Sequence, residues 1–409
     1  MFLRILCALR LRSLRHGLFC AGLILTGFCG SLALCGSPVA AQHVAGAVQL
    51  TTGVQLTTEE RLETEAWWPT KSSIPLSAFA GSGACTGCHK DEAPAHPSAM
   101  MRAASPAADA HFLPPGTRLH FDSQPLAYYL TASAAGGLTI QTSGAHSTSQ
   151  KLDWVMGDGV LGRTFLYQAD GRWFQSELTF YTSDHALDVT TGLSHDGNLG
   201  TLGQVLTADE TRRCFGCHTV HATTTAGFNP LHAEAGLGCE ACHGPGQTHV
   251  SVARSTRAPG PALRAAIFNP AKLSPADSID FCGSCHRTFS DAMIATGGTT
   301  TSAVVRFQPY RLEESKCWRA AEDERLTCVA CHNPHEALQR DPAAYDQKCL
   351  SCHRAATDGS HATAVAAVCP KAKGQCTTCH MPKVKVPSMH GDFTDHDIRI
   401  VRPGETMPS

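Results

Sequence analysis

The chain has 409 residues, of which 43% are apolar, 17% charged and 7% aromatic. This balance excludes a disordered tail and a polytopic membrane protein, and 33 basic against 35 acidic side chains exclude a nucleic-acid surface built on global positive charge. The 20 cysteines are too many for a protein of the reducing cytosol, and the 22 histidines favour metal or haem over a purely disulfide framework.

The first 41 residues have the composition of an export signal. Four arginines without an acidic residue precede an apolar run from Leu18 to Leu34, and small residues lead to Ala41. We expect cleavage after Ala41 and a periplasmic or otherwise exported product, whose net charge changes from −2 to −6 because the signal carries four cations and no anion. An uncleaved membrane anchor is one alternative. A lipoprotein acylated at Cys35 is another, although Leu34 is larger than the residue that such a signal prefers.

One pentapeptide, Cys-x-x-Cys-His, recurs seven times along the chain. Chance predicts roughly 0.05 copies at this composition. Its cysteine pairs are Cys85 and Cys88, Cys214 and Cys217, Cys239 and Cys242, Cys282 and Cys285, Cys328 and Cys331, Cys349 and Cys352, and Cys376 and Cys379. The histidines that follow them are His89, His218, His243, His286, His332, His353 and His380.

This spacing fits covalent haem attachment. Two thiols three positions apart lie on one turn of backbone and can add to the two vinyl groups of one haem, while the adjacent histidine reaches the iron as the proximal ligand. Zinc sites are an alternative that does not explain a histidine after every cysteine pair, and disulfides at this spacing would close only small strained loops. We therefore predict seven covalently attached haem c groups, numbered 1 to 7 in chain order.

The spacing of the motifs predicts the domain organisation. The first two motifs start 129 residues apart, whereas the later ones start 21 to 46 residues apart. We predict a signal peptide at 1–41, an N-terminal linker at 42–79, a haem 1 segment at 80–111, a β insert at 112–206, a six-haem cytochrome domain at 207–396 and a C-terminal tail at 397–409.

The long gap between motifs 1 and 2 has the pattern of short strands. Alternating apolar residues predict strands at 118–121, 126–131, 138–141, 152–156, 164–167 and 173–181, separated by glycine-containing turns. Elsewhere, Gly- and Pro-rich segments predict short helices and loops that pack on haem. The predicted fold class is a mostly α and irregular multihaem cytochrome c fold, with short helices and loops around stacked haems and a small antiparallel β insert. We expect the insert to be a scaffold that covers a haem face and spaces haem 1 from haem 2.

Several side chains outside the motifs are candidates for the sixth iron position. A histidine near one motif is expected to serve an adjacent haem, because the haem plane prevents the chain from reaching the far face of its own haem. A lone histidine is otherwise a polar surface residue, and a methionine is commonly a core residue. Haem 4 has no histidine between His286 and His332, so its distal ligand stays open. The candidate distal ligands are His120, His221, His249, His335, His361, His390, His396 and, for haem 1, Met100.

Two cysteines of the predicted mature chain, Cys317 and Cys369, belong to no motif. In an oxidising compartment, two remaining cysteines favour one disulfide that closes a loop over haems 5 and 6. Two buried free thiols are the alternative.

The sequence resembles the multihaem c-type cytochromes with doubled Cys-x-x-Cys-His motifs, which are related to the tetrahaem cytochrome that accepts electrons from hydroxylamine oxidation. The resemblance extends over residues 80–400 and rests on segments 82–85, 157–159, 170–175, 239–246, 269–273, 376–382 and 393–396. It implies an exported electron carrier with mostly bis-histidine haems, and a spare cysteine pair at the same places, which favours the bridge. His96 stands where the relatives have a Trp before the ligand of haem 1, so that ligand stays open.

Two functions follow from this pattern. The first is a periplasmic electron-transfer protein that passes electrons between a redox-protein donor, such as a membrane quinol-oxidising complex, and a redox-protein acceptor, without nucleic acid. The second is a multihaem oxidoreductase that converts a small nitrogen or sulfur compound at one haem with an open coordination position. No motif has Lys in place of its His, and no Tyr is an evident cross-linking residue, so the sequence favours a carrier over an enzyme. It does not predict the oligomeric state.

Overall fold

The computed structural model describes residues 74–92, 104–109, 111–123, 126–144, 147–193, 201–224, 227–255, 260–298, 301–321, 325–353, 369–402 and 405. The predicted signal peptide, most of the predicted linker, His96 and the candidate ligands Met100 and His361 lie outside these residues.

Two antiparallel sheets occupy most of the stretch between motifs 1 and 2. The first is four-stranded, in the order β2-β3-β4-β5. The second is six-stranded, in the order β1-β6-β7-β8-β10, with β9 also paired to β8. The strands are β1 (Ala104–Pro106), β2 (Arg118–Ser123), β3 (Leu126–Ala132), β4 (Leu138–Ser143), β5 (Ser149–Lys151), β6 (Trp154–Met156), β7 (Gly162–Ala169), β8 (Arg172–Tyr181), β9 (Ala186–Val189) and β10 (Gly203–Val205).

Turn chemistry fixes the register of these strands. The turn between β3 and β4 has two consecutive glycines with positive φ, Gly136 and Gly137. The turn between β7 and β8 has Asp170 and Gly171, both with positive φ, so that Ala169 pairs with Arg172 across a two-residue loop. All six strands predicted from the sequence are present, and most extend a residue or more beyond the predicted ends.

The two sheets share one apolar core. Residues of β3 and β4 alternate between buried and half-buried positions, so that one face of the four-stranded sheet is covered. That face contributes Leu130 and Ile140, while the six-stranded sheet contributes Phe165 and Leu178, and all four are almost fully buried in one cluster. Because both sheets contribute to this cluster, the region is a β-sandwich with a conventional core that requires no haem.

Short helices carry the rest of the chain. The described helices are α1 (Ser82–Thr86), α2 (Ala208–His218), α3 (Glu240–His243), α4 (Gln247–Ser255), α5 (Gly260–Ala265), α6 (Pro275–His286), α7 (Phe289–Thr296), α8 (Gln308–Glu314), α9 (Lys316–Ala321), α10 (Cys328–Cys331), α11 (Asp346–Leu350) and α12 (Cys376–His380). Three two-stranded sheets pair β11 (Thr219–Val220) with β14 (Glu234–Ala235), β12 (Thr223–Thr224) with β13 (Gly227–Phe228), and β15 (Lys383–Val386) with β16 (Gly391–Thr394). Among the described helices, none combines the length and the apolar character that crossing a bilayer requires.

The prediction of a mostly α and irregular fold with a small β insert is wrong. Strand accounts for about 24% of the structure, in sheets of up to six strands. Strands also form outside the predicted insert, at β1 before it and at β15 and β16 near the C-terminal end. The physical reason is that haem can replace an apolar core but cannot pair backbone N–H and C=O groups, so the segments between motifs close as hairpins.

An aromatic cluster fastens the β-sandwich to motif 2. Phe215, the second residue of this motif, is fully buried, and its ring lies parallel to that of Phe228 with 3.4 Å between ring centroids. Trp154 of β6 and Trp173 of β8 contact Phe215 edge-on at 5.4 and 5.1 Å. The outer face of the six-stranded sheet is therefore the support on which motif 2 rests.

Candidate haem centres

Each motif begins in or beside a short helical turn. In four motifs the histidine N–H donates to the carbonyl oxygen of the first cysteine at 3.0 Å; these histidines are His89, His243, His332 and His353. One helical turn places the two cysteines of a motif on the same side of the backbone. This is the arrangement that attachment of both thiols to one haem requires.

The motifs also lie beside one another in pairs. The Cys85 thiol forms a hydrogen bond with that of Cys239, which together with burial raises the pKa of Cys85. Thiols from motifs 4 and 5 (Cys282 and Cys328) and from motifs 6 and 7 (Cys349 and Cys376) are hydrogen-bonded in the same way. Motif 2 adjoins motif 4, since the Cys217 thiol donates to the carbonyl of Ser284 at 3.6 Å.

Three motif histidines face a second histidine at a nearly constant separation. The ring centroids of His89 and His249 are 6.3 Å apart, those of His243 and His335 6.1 Å, and those of His332 and His396 6.2 Å. Two axial imidazoles on one metal place their ring centres roughly 6 Å apart, because each metal–nitrogen bond is about 2 Å and each ring centre lies about 1 Å beyond its nitrogen. The three pairs thus have the separation of axial ligands on one iron.

Backbone carbonyls orient several of these rings. The Nδ1 atoms of His243, His249, His380 and His396 donate to the carbonyl oxygens of Phe268, Leu263, Arg399 and Thr394, at 2.9 to 3.0 Å. A hydrogen bond at Nδ1 fixes the tautomer and leaves the Nε2 lone pair for a metal. Sequence reasoning missed these carbonyls, because no residue type marks a backbone acceptor.

The local environment keeps the imidazoles neutral. Desolvation lowers the pKa of His243, His286 and His332. It lowers the pKa of His396 to about 4, with further lowering from the charge of His332. Since the neutral form of imidazole is the ligand form, these rings are ready to coordinate iron at neutral pH. By accessible surface, however, His286 is exposed, so desolvation acts on its pKa through neighbouring groups rather than through full burial of the residue.

A buried carboxylate joins motif 1 to motif 3. Glu240, between the two cysteines of motif 3, is 1% exposed. Its Oε1 accepts from the N–H groups of Ala80 at 2.8 Å and Gly246 at 2.6 Å, and its Oε2 accepts from Gly81 at 2.8 Å. Asp346 acts similarly at the other end of the chain, where it accepts from the N–H groups of residues 375 and 376 before and within motif 7. Acidic side chains therefore hold the paired motifs in register.

A buried ion network supports the segment of His396. The guanidinium of Arg311, which is 3% exposed, donates to both carboxylate oxygens of Asp395 at 2.9 and 3.1 Å and to Asp397 at 3.2 Å. Arg399 donates to Asp395 at 2.7 Å. Arg311 lowers the pKa of Asp395 against the opposing effect of burial, whereas burial raises the pKa of Asp397. This network fixes the backbone on both sides of His396.

Three predicted distal ligands have other neighbours. His120 lies on β2 with its side chain 55% exposed, and its Nε2 is 3.0 Å from Asp122. His221 is half-buried against Phe79, and its Nε2 is 3.7 Å from Glu234. His390 has both ring nitrogens against carboxylates, Asp184 at Nδ1 and Asp188 at Nε2 at 2.8 Å. These contacts do not favour His120, His221 and His390 as iron ligands, and their assignment stays a prediction.

Cys317 and Cys369 lie in different surroundings. Cys317 is half-buried on α9, close enough to motifs 5 and 6 to raise the pKa of Cys331 and Cys349. Cys369 is exposed, and hydrogen bonds from two backbone N–H groups lower its pKa. The described cysteines form no disulfide in the structure, and the predicted bridge stays a prediction.

The residues fit haem c better than zinc. Structural zinc needs four converging protein ligands, whereas haem iron needs two axial side chains. Over the described ranges, no group of three or more His, Cys, Asp and Glu side chains is arranged to hold a metal ion. Paired thiols on one turn and facing neutral imidazoles are the pattern expected of haem.

Comparison with known families agrees with this chemistry. The model of a family described as "Cytochrome c554 and c-prime" matches residues 175–244, from the middle of β8 to the end of motif 3. Searches of curated proteins and of solved structures found no match. The family match covers 70 of the 409 residues and supports a c-type cytochrome, covalently bound haem c and a role in electron transfer. The doubled arrangement of the motifs and the relation to hydroxylamine oxidation stay predictions.

Proposed function

We propose that this protein is an exported electron-transfer cytochrome that carries seven haems, most of them with two axial histidines. The observation that carries the proposal is the set of three histidine pairs with ring centroids 6.1 to 6.3 Å apart, each containing one motif histidine. We assign His249 to haem 1, His335 to haem 3 and His396 to haem 5. An iron with two protein ligands has no substrate position, so the function is outer-sphere transfer.

The contacts between motifs support one order of electron transfer. Haem c, when bound, supplies one-electron iron chemistry. Motif 3 contacts motif 1 through its first cysteine and motif 4 through the cluster of Cys242 and Cys282 around Phe281. Motif 5 follows motif 4, and its Cys331 lies near Cys352 of motif 6, which adjoins motif 7. The proposed order of the haems in electron transfer is 1-3-4-5-6-7, and haem 2 lies beside haem 4.

The ends of this order are the proposed contact points for a redox-protein donor and acceptor. Motif 1 is exposed at Cys88 and His89, and motif 7 at Cys379. We also propose export to the periplasm with cleavage near Ala41, which the export-signal pattern of residues 1–41 supports.

Electron paramagnetic resonance of the oxidised holoprotein tests the carrier function. Saturated bis-histidine irons give low-spin ferric signals alone, and cyanide, nitrite and hydroxylamine leave them unchanged. A high-spin ferric signal of one iron per chain that shifts with one of these ligands would contradict the carrier and favour the oxidoreductase. Haem 4 and haem 7 are the first places to look, because the described residues place no second histidine ring opposite His286 or His380 at the spacing of the three pairs.

A further inference from the structure

Three arginines approach one another where motif 2 meets motif 4. Arg213 directly precedes Cys214 in α2, and Arg287 directly follows His286 at the end of α6. Arg306 ends a short 3₁₀ helix over Ser302–Arg306. The contact between Cys217 and Ser284 brings the first two elements together, and the charge of Arg287 acts on both Arg213 and Arg306. These three residues are called the arginine cluster.

The arginine cluster is partly removed from water. Burial lowers the pKa of Arg213 and Arg306, and the charge of Arg287 lowers both further. The Nε atom of Arg306 is buried without a hydrogen-bond partner in the described part of the chain, and its Nη1 atom donates to the sulfur of Met389 at 3.6 Å. Arg287 adopts φ +70°, a left-handed conformation that side chains other than glycine rarely adopt.

In the described part of the chain, carboxylates pair with at most one member of the arginine cluster. The charge of Asp291 raises the pKa of Arg213 and so acts against the charge of Arg287. The Oδ2 atom of Asp291 also accepts a hydrogen bond from the Thr288 N–H at 3.1 Å in the cap of α7. Among the described residues, neither Arg287 nor Arg306 forms an ion pair with a carboxylate. Buried guanidinium groups are costly unless an anion pairs with them, and each offers a planar fork of donors that matches two oxygens. A strained Arg287 held next to two other cations is therefore unfavourable without a bound oxyanion.

We propose that Arg213, Arg287 and Arg306 form a binding site for an oxyanion between motifs 2 and 4. Two sources have the required chemistry: the propionate carboxylates of haem 2 or haem 4, and a small inorganic oxyanion such as phosphate. The proposal rests on the proposed attachment of haem at these two motifs. Tyr181 of β8 and Met389 lie at the same place, so the site also joins the β-sandwich to the haem-bearing segments.

The test compares the wild-type holoprotein with Arg306→Gln, with the charge-conserving Arg306→Lys and with Arg264→Gln, a control at an exposed arginine of α5. Haem content by intact mass is measured first, so that a loss of haem, which would concern the proposed function, is separated from a loss of anion binding. Two readouts follow on proteins with the wild-type haem count. These are the propionate bending bands in the resonance Raman spectrum, and calorimetric titration with inorganic phosphate.

Each source gives a distinct result. If propionate occupies the arginine cluster, the Raman bands shift in Arg306→Gln, shift less in Arg306→Lys and stay unchanged in the control, and phosphate does not bind the wild type. If the site takes a free oxyanion, the wild type binds one phosphate, Arg306→Gln weakens binding at least tenfold, and the Raman bands do not move. The proposal is overturned if the Raman bands of Arg306→Gln equal those of the control and phosphate either does not bind the wild type or binds the wild type and Arg306→Gln equally, as an adventitious ion only.

Discussion

His396 shows how one residue is prepared for a metal. Its Nδ1 donates to the Thr394 carbonyl at 3.0 Å, its pKa is lowered to about 4 and its ring centroid lies 6.2 Å from that of His332. A ring that is neutral, oriented and placed opposite a motif histidine meets every requirement of an axial ligand that protein geometry can supply.

We predict that His396→Ala leaves haem 5 without its distal ligand. One low-spin ferric signal should be lost and one high-spin signal per chain gained in electron paramagnetic resonance of the oxidised protein, with the haem count unchanged, because the thioether bonds and His332 remain. The matched control is His232→Ala at an exposed histidine, which should leave the spectrum unchanged. A His396→Ala spectrum identical to that of the wild type would exclude this ligand assignment.

Residue chemistry alone did not separate His396 from His390. Both follow motif 7 at short distances along the sequence, and both are candidates on that basis. The difference lies in long-range contacts, since Asp184 and Asp188 at the β8–β9 hairpin take both ring nitrogens of His390. Sequence offsets predict which histidines are near a motif, but they do not predict which side chains from a distant hairpin compete for them.

At the scale of elements, Glu240 links α3 to the segment before α1. Glu240→Gln keeps the shape of the side chain but replaces one acceptor oxygen by a donor, so that at least one of the three buried N–H groups loses its partner. We expect a loss of about 1–3 kcal/mol in the free energy of unfolding. Denaturant unfolding of the holoprotein measures it. The control is Glu336→Gln at an exposed position, and equal stability of the two variants would show that the hydrogen bonds of Glu240 contribute nothing to stability.

Within the β-sandwich, Glu177 on β8 gives a pH-dependent prediction. It is 5% exposed, and burial raises its pKa against the opposing hydrogen bond from Thr201. Because the pKa is raised, the folded state favours the protonated form of the Glu177 carboxyl group. The stability that this form contributes is fully present below the unfolded pKa of about 4.3 and is lost as the pH rises through the folded pKa. Glu177 therefore lowers stability at neutral pH.

We predict that Glu177→Gln raises the unfolding temperature of the holoprotein by a few degrees at pH 8 and by much less at pH 4. The change removes the cost of ionising a buried carboxyl group and keeps an acceptor for the Thr201 hydroxyl. Thermal unfolding at a series of pH values measures it, with the exposed Asp109→Asn as the control. An increase that is the same at both pH values would contradict the burial argument.

The same strands show which parts of the fold were predictable. Alternation and turn residues predicted all six strands, because these signals are local. The sheets that they build were underestimated, since β1 pairs with β6 about 50 residues later and β15 and β16 form beyond the last motif. Pairing across such distances has no local signature, and the assumption that haem supplies the core concealed the conventional core around Phe165 and Leu178.

At the scale of the whole molecule, the β-sandwich is the fixed support and the motifs are the functional part. Motif 2 rests on it through Phe215, and the β15–β16 hairpin contacts it where the Tyr181 hydroxyl donates to the Ser388 carbonyl at 3.3 Å. Motifs distant in sequence, such as 1 and 3, then meet through Cys85 and Cys239. The motif spacing predicts where haem attaches, and that stays a prediction, whereas the order in which the motifs meet required the structure.

The central claim is that every Cys-x-x-Cys-His motif carries a haem. Intact mass spectrometry of the exported protein, with a pyridine haemochrome count on the same sample, tests it most directly. We predict the mass of the chain from Gln42 plus seven haems, and seven haems per chain in the haemochrome spectrum. Fewer than seven haems per chain, or zinc in a metal assay of the same sample, would contradict it.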